Sequence, residues 1–327
     1  MTTIKRRDFL KITAVAAAGV AGTYAFGRQF LSSGITLEES RELMGTLIHL
    51  KVVSPSQTEG EAAIEATFAE MERLITFFDY RNSSTELGKL NSQGNLANAS
   101  KEMIEVLQAA LQVSELTDGA FDISVGPLLT AHQHAAAINQ SLLEKVSYKH
   151  IEISGNEIKL THPGMSITLD GIAKGYIVDK GVAVLQDLGF ANIIVEAGGD
   201  LMANGQSQRE ESWKIGIAHP RPETMAGYLA SFSLADAAAA TSGDYMNAFN
   251  EDKSLHHILD PKSGYSPTQL ASVTTIADSA MMADALSTAF MVCGVEKSLA
   301  LAKQLEGVEA LFVTKDLEIV RSSGFPS

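Results

Sequence analysis

Between residues 46 and 53, Ile48, Leu50 and Val52 alternate with His49 and Lys51, the two-residue period of a half-buried strand. From residue 61 to 78 the period lengthens: Ile64, Phe68, Met71, Leu74 or Ile75, and Phe78 recur at three- and four-residue steps, which predicts an amphipathic helix. A second helix is expected over residues 101–115, with Met103, Leu107 and Leu111 on one side and Ser100 as its N-cap. Ile151 and Ile153, a Ser-Gly-Asn turn, and then Ile158 and Leu160 predict a hairpin. A helix over 174–188 should end at Gly189, and 192–196 reads as a short buried strand running into Gly198-Gly199. Further strands are expected at 214–218, 228–234, 272–276 and 310–313, with helices at 279–292 and 297–305. Strands in adjacent runs with helices grouped between them predict an α+β (mixed α/β) fold, a single compact domain over 34–327.

Charge changes the picture at the N-terminus. The chain carries 25 basic and 39 acidic residues, and residues 1–34 hold five of the former and only one of the latter. The rest therefore has 20 basic against 38 acidic residues, a net charge of −18. Such a body excludes nucleic-acid backbone binding, which needs dense Lys and Arg. A phosphorylated ligand would need its charge neutralised by something else, and a divalent cation is the natural candidate. Lys5-Arg6-Arg7-Asp8-Phe9-Leu10-Lys11, followed by the mild apolar stretch 12–26, resembles a twin-arginine export signal. Residues 1–33 are accordingly expected to engage the twin-arginine export machinery and deliver the chain to the periplasm. There the segment would be cleaved or kept as an inner-membrane anchor. The single cysteine, Cys293, excludes an internal disulfide and lies in an apolar run that predicts a buried thiol.

Neither a P-loop nor a Rossmann fingerprint is present, nor a G-x-S-x-G or H-E-x-x-H motif. The unusual clusters are Met44-Gly45-Thr46; residues 80–91; Asp118-Gly119-Ala120-Phe121-Asp122 with Val125-Gly126-Pro127-Leu128; residues 169–176; Glu196-Ala197-Gly198-Gly199-Asp200; Ser242-Gly243-Asp244-Tyr245; residues 256–261; and residues 283–288. Asp284 and Thr288 are four apart on a predicted helix and so share a face. A carboxylate and a hydroxyl are hard oxygen ligands suited to Mg²⁺, though the same pair also serves as an ordinary helix-surface cap. The adjacent His256 and His257, placed on a strand, would point to opposite faces, which argues against a zinc pair.

Taken in order, these eight blocks resemble the ApbE family, the FAD:protein FMN transferases, from Met44 to about Gly294. The resemblance implies Mg²⁺ as cofactor and FAD as substrate. It implies metal ligation by Asp284, Thr288 and the backbone carbonyl of Gly171. No acidic ligand is expected three residues before Asp284, where Met281 stands. FAD would be held by Met44, Tyr80, Ala120, Phe121, Asp122, Lys174, Gly198, Gly199 and Ile258. The family's flavin-binding aspartate lies six residues before the lysine; here Thr168 occupies that place and Asp170 lies four before, so both are candidates. Lys174 would stabilise charge as the pyrophosphate bond breaks. His257 would act as general base on a Thr or Ser hydroxyl of an exported or membrane-bound redox protein, with AMP leaving. Two rivals share the same ligand: a pyrophosphatase that splits FAD into FMN and AMP with water, and a carrier that holds FAD intact.

Overall fold

The structure, a computed structural model, describes residues 34–221 and 227–326; the expected export signal at 1–33 lies outside the described residues. The chain opens with a hairpin of β1 (Ile35–Leu43) and β2 (Thr46–Ser54). Its two-residue turn puts Met44 at φ +54° and Gly45 at +71°, the left-handed pair that suits the twist of an antiparallel hairpin. α1 (Gln57–Phe78) starts four residues before the apolar period does, because the Ser56 side chain accepts the Glu59 N–H and sets the cap. α2 (Glu86–Gln93), β3 (Asn95–Leu96) and α3 (Lys101–Leu116) follow, with Ser100 capping α3 as expected. The short helices α4 (Gly126–Gln133) and α5 (Gln140–Leu143) lead to the expected hairpin, β4 (Ile151–Ser154) and β5 (Glu157–Leu160).

The second half holds α6 (Ala173–Asp187), β6 (Ile193–Ala197), β7 (Asp200–Asn204), β8 (Trp213–Ala218), β9 (Tyr228–Leu234) and β10 (Ala237–Gly243). It ends with β11 (Leu270–Ala277), α7 (Ala280–Ala302), β12 (Glu309–Thr314) and β13 (Ile319–Arg321). The two helices expected between 279 and 305 are this one element, broken at Gly294, whose φ of 75° and ψ of 172° are not helical. The Gln269 side chain accepts the Val295 N–H just past the break.

Among the described residues the strands form an eight-stranded antiparallel sheet in the order β1-β2-β6-β7-β10-β11-β12-β13, a small β3-β5-β4 sheet and the β8-β9 ribbon. Alternation across the large sheet sorts its side chains into two cores. Ile48, Leu50, Val52, Ile193, Val195, Ala238, Ala240, Val273 and Phe312 pack with α1, α3, α6 and α7. Ile194, Leu201, Ala203, Ala239, Ile276 and Val313 pack against Trp213, Ile215, Phe232 and Leu234 of the ribbon. The sheet is thus the middle of three layers, which is why β6 and β11 are buried along their whole length. Cys293 is half-buried on α7 rather than fully buried, and burial pushes its thiol up.

Candidate active site

Two hairpin turns stand side by side at one end of the sheet. Because β2 pairs with β6, with Ile48 opposite Ala197, the Gly198-Gly199 turn between β6 and β7 meets Thr46 at the start of β2. Gly198 (φ +60°) and Gly199 (φ +103°) take conformations that L side chains rarely adopt, and a Cβ on Gly198 would collide with the Thr46 hydroxyl. Buried Glu196 fixes this turn: its Oε1 accepts the Gly199 N–H at 2.6 Å, while Oε2 finds no partner among the described residues. Burial pushes the Glu196 carboxyl up to about 7, against the pull of the Gly199 N–H.

The first residue after the turn, Asp200, lies opposite Ala240 on β10, on the helix-covered face. There it ion-pairs with Lys174 in the first turn of α6, and Lys174 Nζ also lies 3.8 Å from Asp284 Oδ2 on α7. The Gly175 N–H donates to Asp284 at 3.2 Å. α6 and α7 cross here so closely that a Cβ on Gly175 would overlap the Ala280 carbonyl. α7 is aligned from its start by Asp179, whose two carboxylate oxygens accept the Ala280 and Met281 N–H groups at 2.7 and 2.9 Å.

One turn beyond Asp284, Thr288 packs against Gly171: a Cβ there would lie 3.0 Å from Thr288 Oγ1 and 3.3 Å from the Phe121 ring. Ser242, at the end of β10, lies 3.1 Å from Thr288 Oγ1 and 2.8 Å from Ser287 Oγ. Gly171, Lys174, Phe121, Asp284 and Thr288, separated by up to 167 positions, therefore meet in one place. Burial raises both Asp200 and Asp284; Asp284 is raised further by Asp200, and Lys174 opposes the rise at each. Burial works against the Lys174 ammonium, but Asp200 and Asp284 outweigh it and hold the lysine charged. Two buried carboxylates against one ammonium leave a surplus negative charge that either a proton or a cation must balance. Beside the Thr288 hydroxyl and the Gly171 backbone, that donor set suits a hard divalent ion.

Tyr80 lies under the Arg81 guanidinium, 4.4 Å from the ring centroid, and Arg81 reaches Asp170 at 3.8 Å. Asp170 is half-exposed, whereas Thr168 is buried, accepts the Asp170 N–H at 3.2 Å and donates its own N–H to the Ile123 carbonyl. Asp170 is thus linked to Tyr80 through Arg81, which lies over the ring. Asp122 is engaged internally: one oxygen accepts from Ser124 N and Oγ, the other from Tyr148 N. Ala120 and Phe121 sit on the turn that follows α3, tied to Thr117 by their N–H groups.

The histidine pair stands in a loop closed by a single bridge, Ala248 to His256, not in a strand. His256 is fully buried, with Ser266 bonded to its N–H and its carbonyl. The His257 N–H donates to Asn247 O at 3.0 Å, its Nδ1 is buried with no partner among the described residues, and Ile258 beside it is buried. Burial, then His256 and Lys174, lower the His257 ring to about 4, so it is a neutral base near pH 7 within electrostatic reach of Lys174. Asp200 and Ser242 belong to the same centre, though the sequence alone does not assign them to it. Asp200 stood within the Gly-Gly-Asp block, and only the strand register shows that it faces Lys174.

A buried acid pair facing one charged lysine at a helix start, within electrostatic reach of a neutral histidine, is an arrangement that enzyme active sites use. The chain belongs to the ApbE family, whose model matches residues 44–312. The FAD:protein FMN transferase of Klebsiella pneumoniae (strain 342) is 30% identical over 298 residues, which cover 87% of this chain and 91% of that one. That of Haemophilus influenzae is 30% identical over 308 residues, covering 87% and 88%. Among solved structures, the ApbE protein of Thermotoga maritima matches with a TM-score of 0.81 at 30% identity, over 89% of this chain and 98% of its own. The flavin transferase ApbE of Vibrio cholerae matches with a TM-score of 0.76 at 27% identity over the same shares.

Proposed function

We propose that this protein transfers FMN from FAD to a Thr or Ser hydroxyl of an exported or membrane-bound redox protein, forming a phosphoester and releasing AMP. The observation that carries the reading is the Lys174–Asp200–Asp284 cluster beside Thr288, in a chain similar over most of its length to FAD:protein FMN transferases.

In this reading Lys174 faces the FAD diphosphate and stabilises charge that builds on the leaving phosphate. The glycine turn at 198–199 lets backbone N–H groups approach the ligand, and Met44, Tyr80, Ala120, Phe121, Asp170 and Ile258 hold the rest of the dinucleotide. His257 accepts the acceptor's hydroxyl proton as that oxygen bonds to the FMN phosphorus. The bond to the AMP phosphate breaks, and AMP departs with the electron pair. Asp284, Thr288 and the Gly171 carbonyl would hold Mg²⁺, which when bound neutralises diphosphate charge as a Lewis acid. The twin-arginine segment would carry the enzyme to the periplasm, where such acceptors reside.

Incubation with FAD and Mg²⁺, with and without an acceptor bearing a Thr or Ser flavinylation motif, tests the reading. Expected are AMP and denaturation-resistant flavin fluorescence on the acceptor. Free FMN without acceptor would indicate a pyrophosphatase, and FAD left intact on the protein would indicate a carrier.

A further inference from the structure

The Ser242-Gly243-Asp244-Tyr245 block is only half absorbed by this site: Ser242 reaches Thr288, while Asp244 enters a separate buried ion cluster. Asp244 has no exposed side-chain surface. Arg221 grips it with two parallel bonds of 2.7 Å, and the Lys315 ammonium binds the same carboxylate. Lys315 Nζ then donates to the Lys253 carbonyl at 3.0 Å.

That last bond matters because of what lies between its ends. The chain from Asp244 to His257 doubles back on itself: Phe249 N–H donates to Leu255 O at 2.7 Å, Ala248 bridges His256, and His257 N–H donates to Asn247 O at 3.0 Å. Asn250 and Asp252 close the tip, accepting the Leu255 and Ser254 N–H groups. One ammonium thus fastens the base of the loop, at Asp244, to its tip, at Lys253. The lysine is itself anchored between β12 and β13, where its N–H donates to Gln269 O at 3.1 Å. An exposed lysine ion pair would hold little, being screened and costly in side-chain entropy. Here the carboxylate is fully buried and Lys315 only 25% exposed, so the clamp is screened far less.

We propose that Lys315, acting through Asp244 and the Lys253 carbonyl, is a positioning residue that holds the 244–257 loop so that His257 meets the acceptor hydroxyl. The inference rests on the reading of His257 as the general base. A base on a loop needs such a fastening, since a displacement of about 1 Å can cost on the order of a hundredfold in rate.

The test compares wild type, Lys315→Met, Lys315→Arg, His257→Ala and the Lys315→Met/His257→Ala double variant. FMN transfer is measured with FAD, Mg²⁺ and an exported redox subunit bearing a Thr flavinylation motif, and rates are normalised to the folded fraction. Lys315→Met should keep KM for FAD within about twofold while kcat falls roughly ten- to a hundredfold. Lys315→Arg, which can still reach carboxylate and carbonyl, should recover most of kcat. The double variant should be no slower than His257→Ala alone. Unchanged kcat in Lys315→Met, a loss that vanishes on normalisation, or additive losses in the double variant would overturn the proposal alone. Full rate in His257→Ala would overturn the base assignment and the proposal with it.

Discussion

His257 shows how burial sets chemistry at a single residue. A histidine in water titrates near 6.5; here burial, His256 and Lys174 hold it at about 4. As the proposed base, His257 works only when unprotonated, so the acid limb of the pH–rate profile should fall near pH 4, far below that of an exposed imidazole. A profile of kcat/KM against pH, repeated with His257→Ala, checks this: the limb should vanish in the variant. Glu196 runs the other way. Its folded pKa of about 7 lies above the ordinary value of 4.5, so the folded state binds the extra proton between those values. Its contribution is present below about 4.5 and lost as pH rises through 7. Glu196→Gln keeps an oxygen for the Gly199 N–H without that dependence. Its stability relative to wild type should therefore rise from pH 5 to pH 8, as urea denaturation at both would show.

At the scale of elements, the decisive feature is the α6–α7 crossing, because it sets Lys174 beside Asp284. Gly175→Ala would drive a Cβ into the Ala280 carbonyl; thermal or urea unfolding should show a loss of about 1–3 kcal/mol, with activity falling as the helices part. Most elements were legible in the hydrophobic period, since α1, α3, β2 and the β4–β5 hairpin each bury a face that repeats at the right spacing. β10 was not. Ala237–Ala240 is the strongest local helix former in the chain's alphabet, yet it is a central strand. Pairing with β7 and β11, and the close fit of small side chains under α7, override the local preference. β1 was hidden because its exposed edge gives only a weak alternation. α2 was hidden because its eight residues are too few to show a period; its Thr85 cap and Gly94 stop define it instead.

For the whole molecule, the question is how an acidic body accepts an anionic dinucleotide. Net charge is −14, and outside the first 34 residues it is −18, so bulk attraction works against the ligand. Lys174 offsets part of this locally, but the two buried carboxylates around it leave the centre suited to a cation as well. The family blocks made Gly171, Lys174, Asp284 and Thr288 legible as one site, and the fold brings them together. Asp200 and the Arg221–Asp244–Lys315 cluster were not legible, because their meaning lies in register and loop closure across as many as 94 positions. The most direct measurement is AMP release and covalent FMN on an acceptor, followed across a Mg²⁺ titration for wild type and Asp284→Ala. Wild type should yield equal amounts of AMP and protein-bound FMN, and Asp284→Ala neither, even at saturating Mg²⁺. Wild-type turnover by Asp284→Ala would remove Asp284 from the metal site and the proposed chemistry with it.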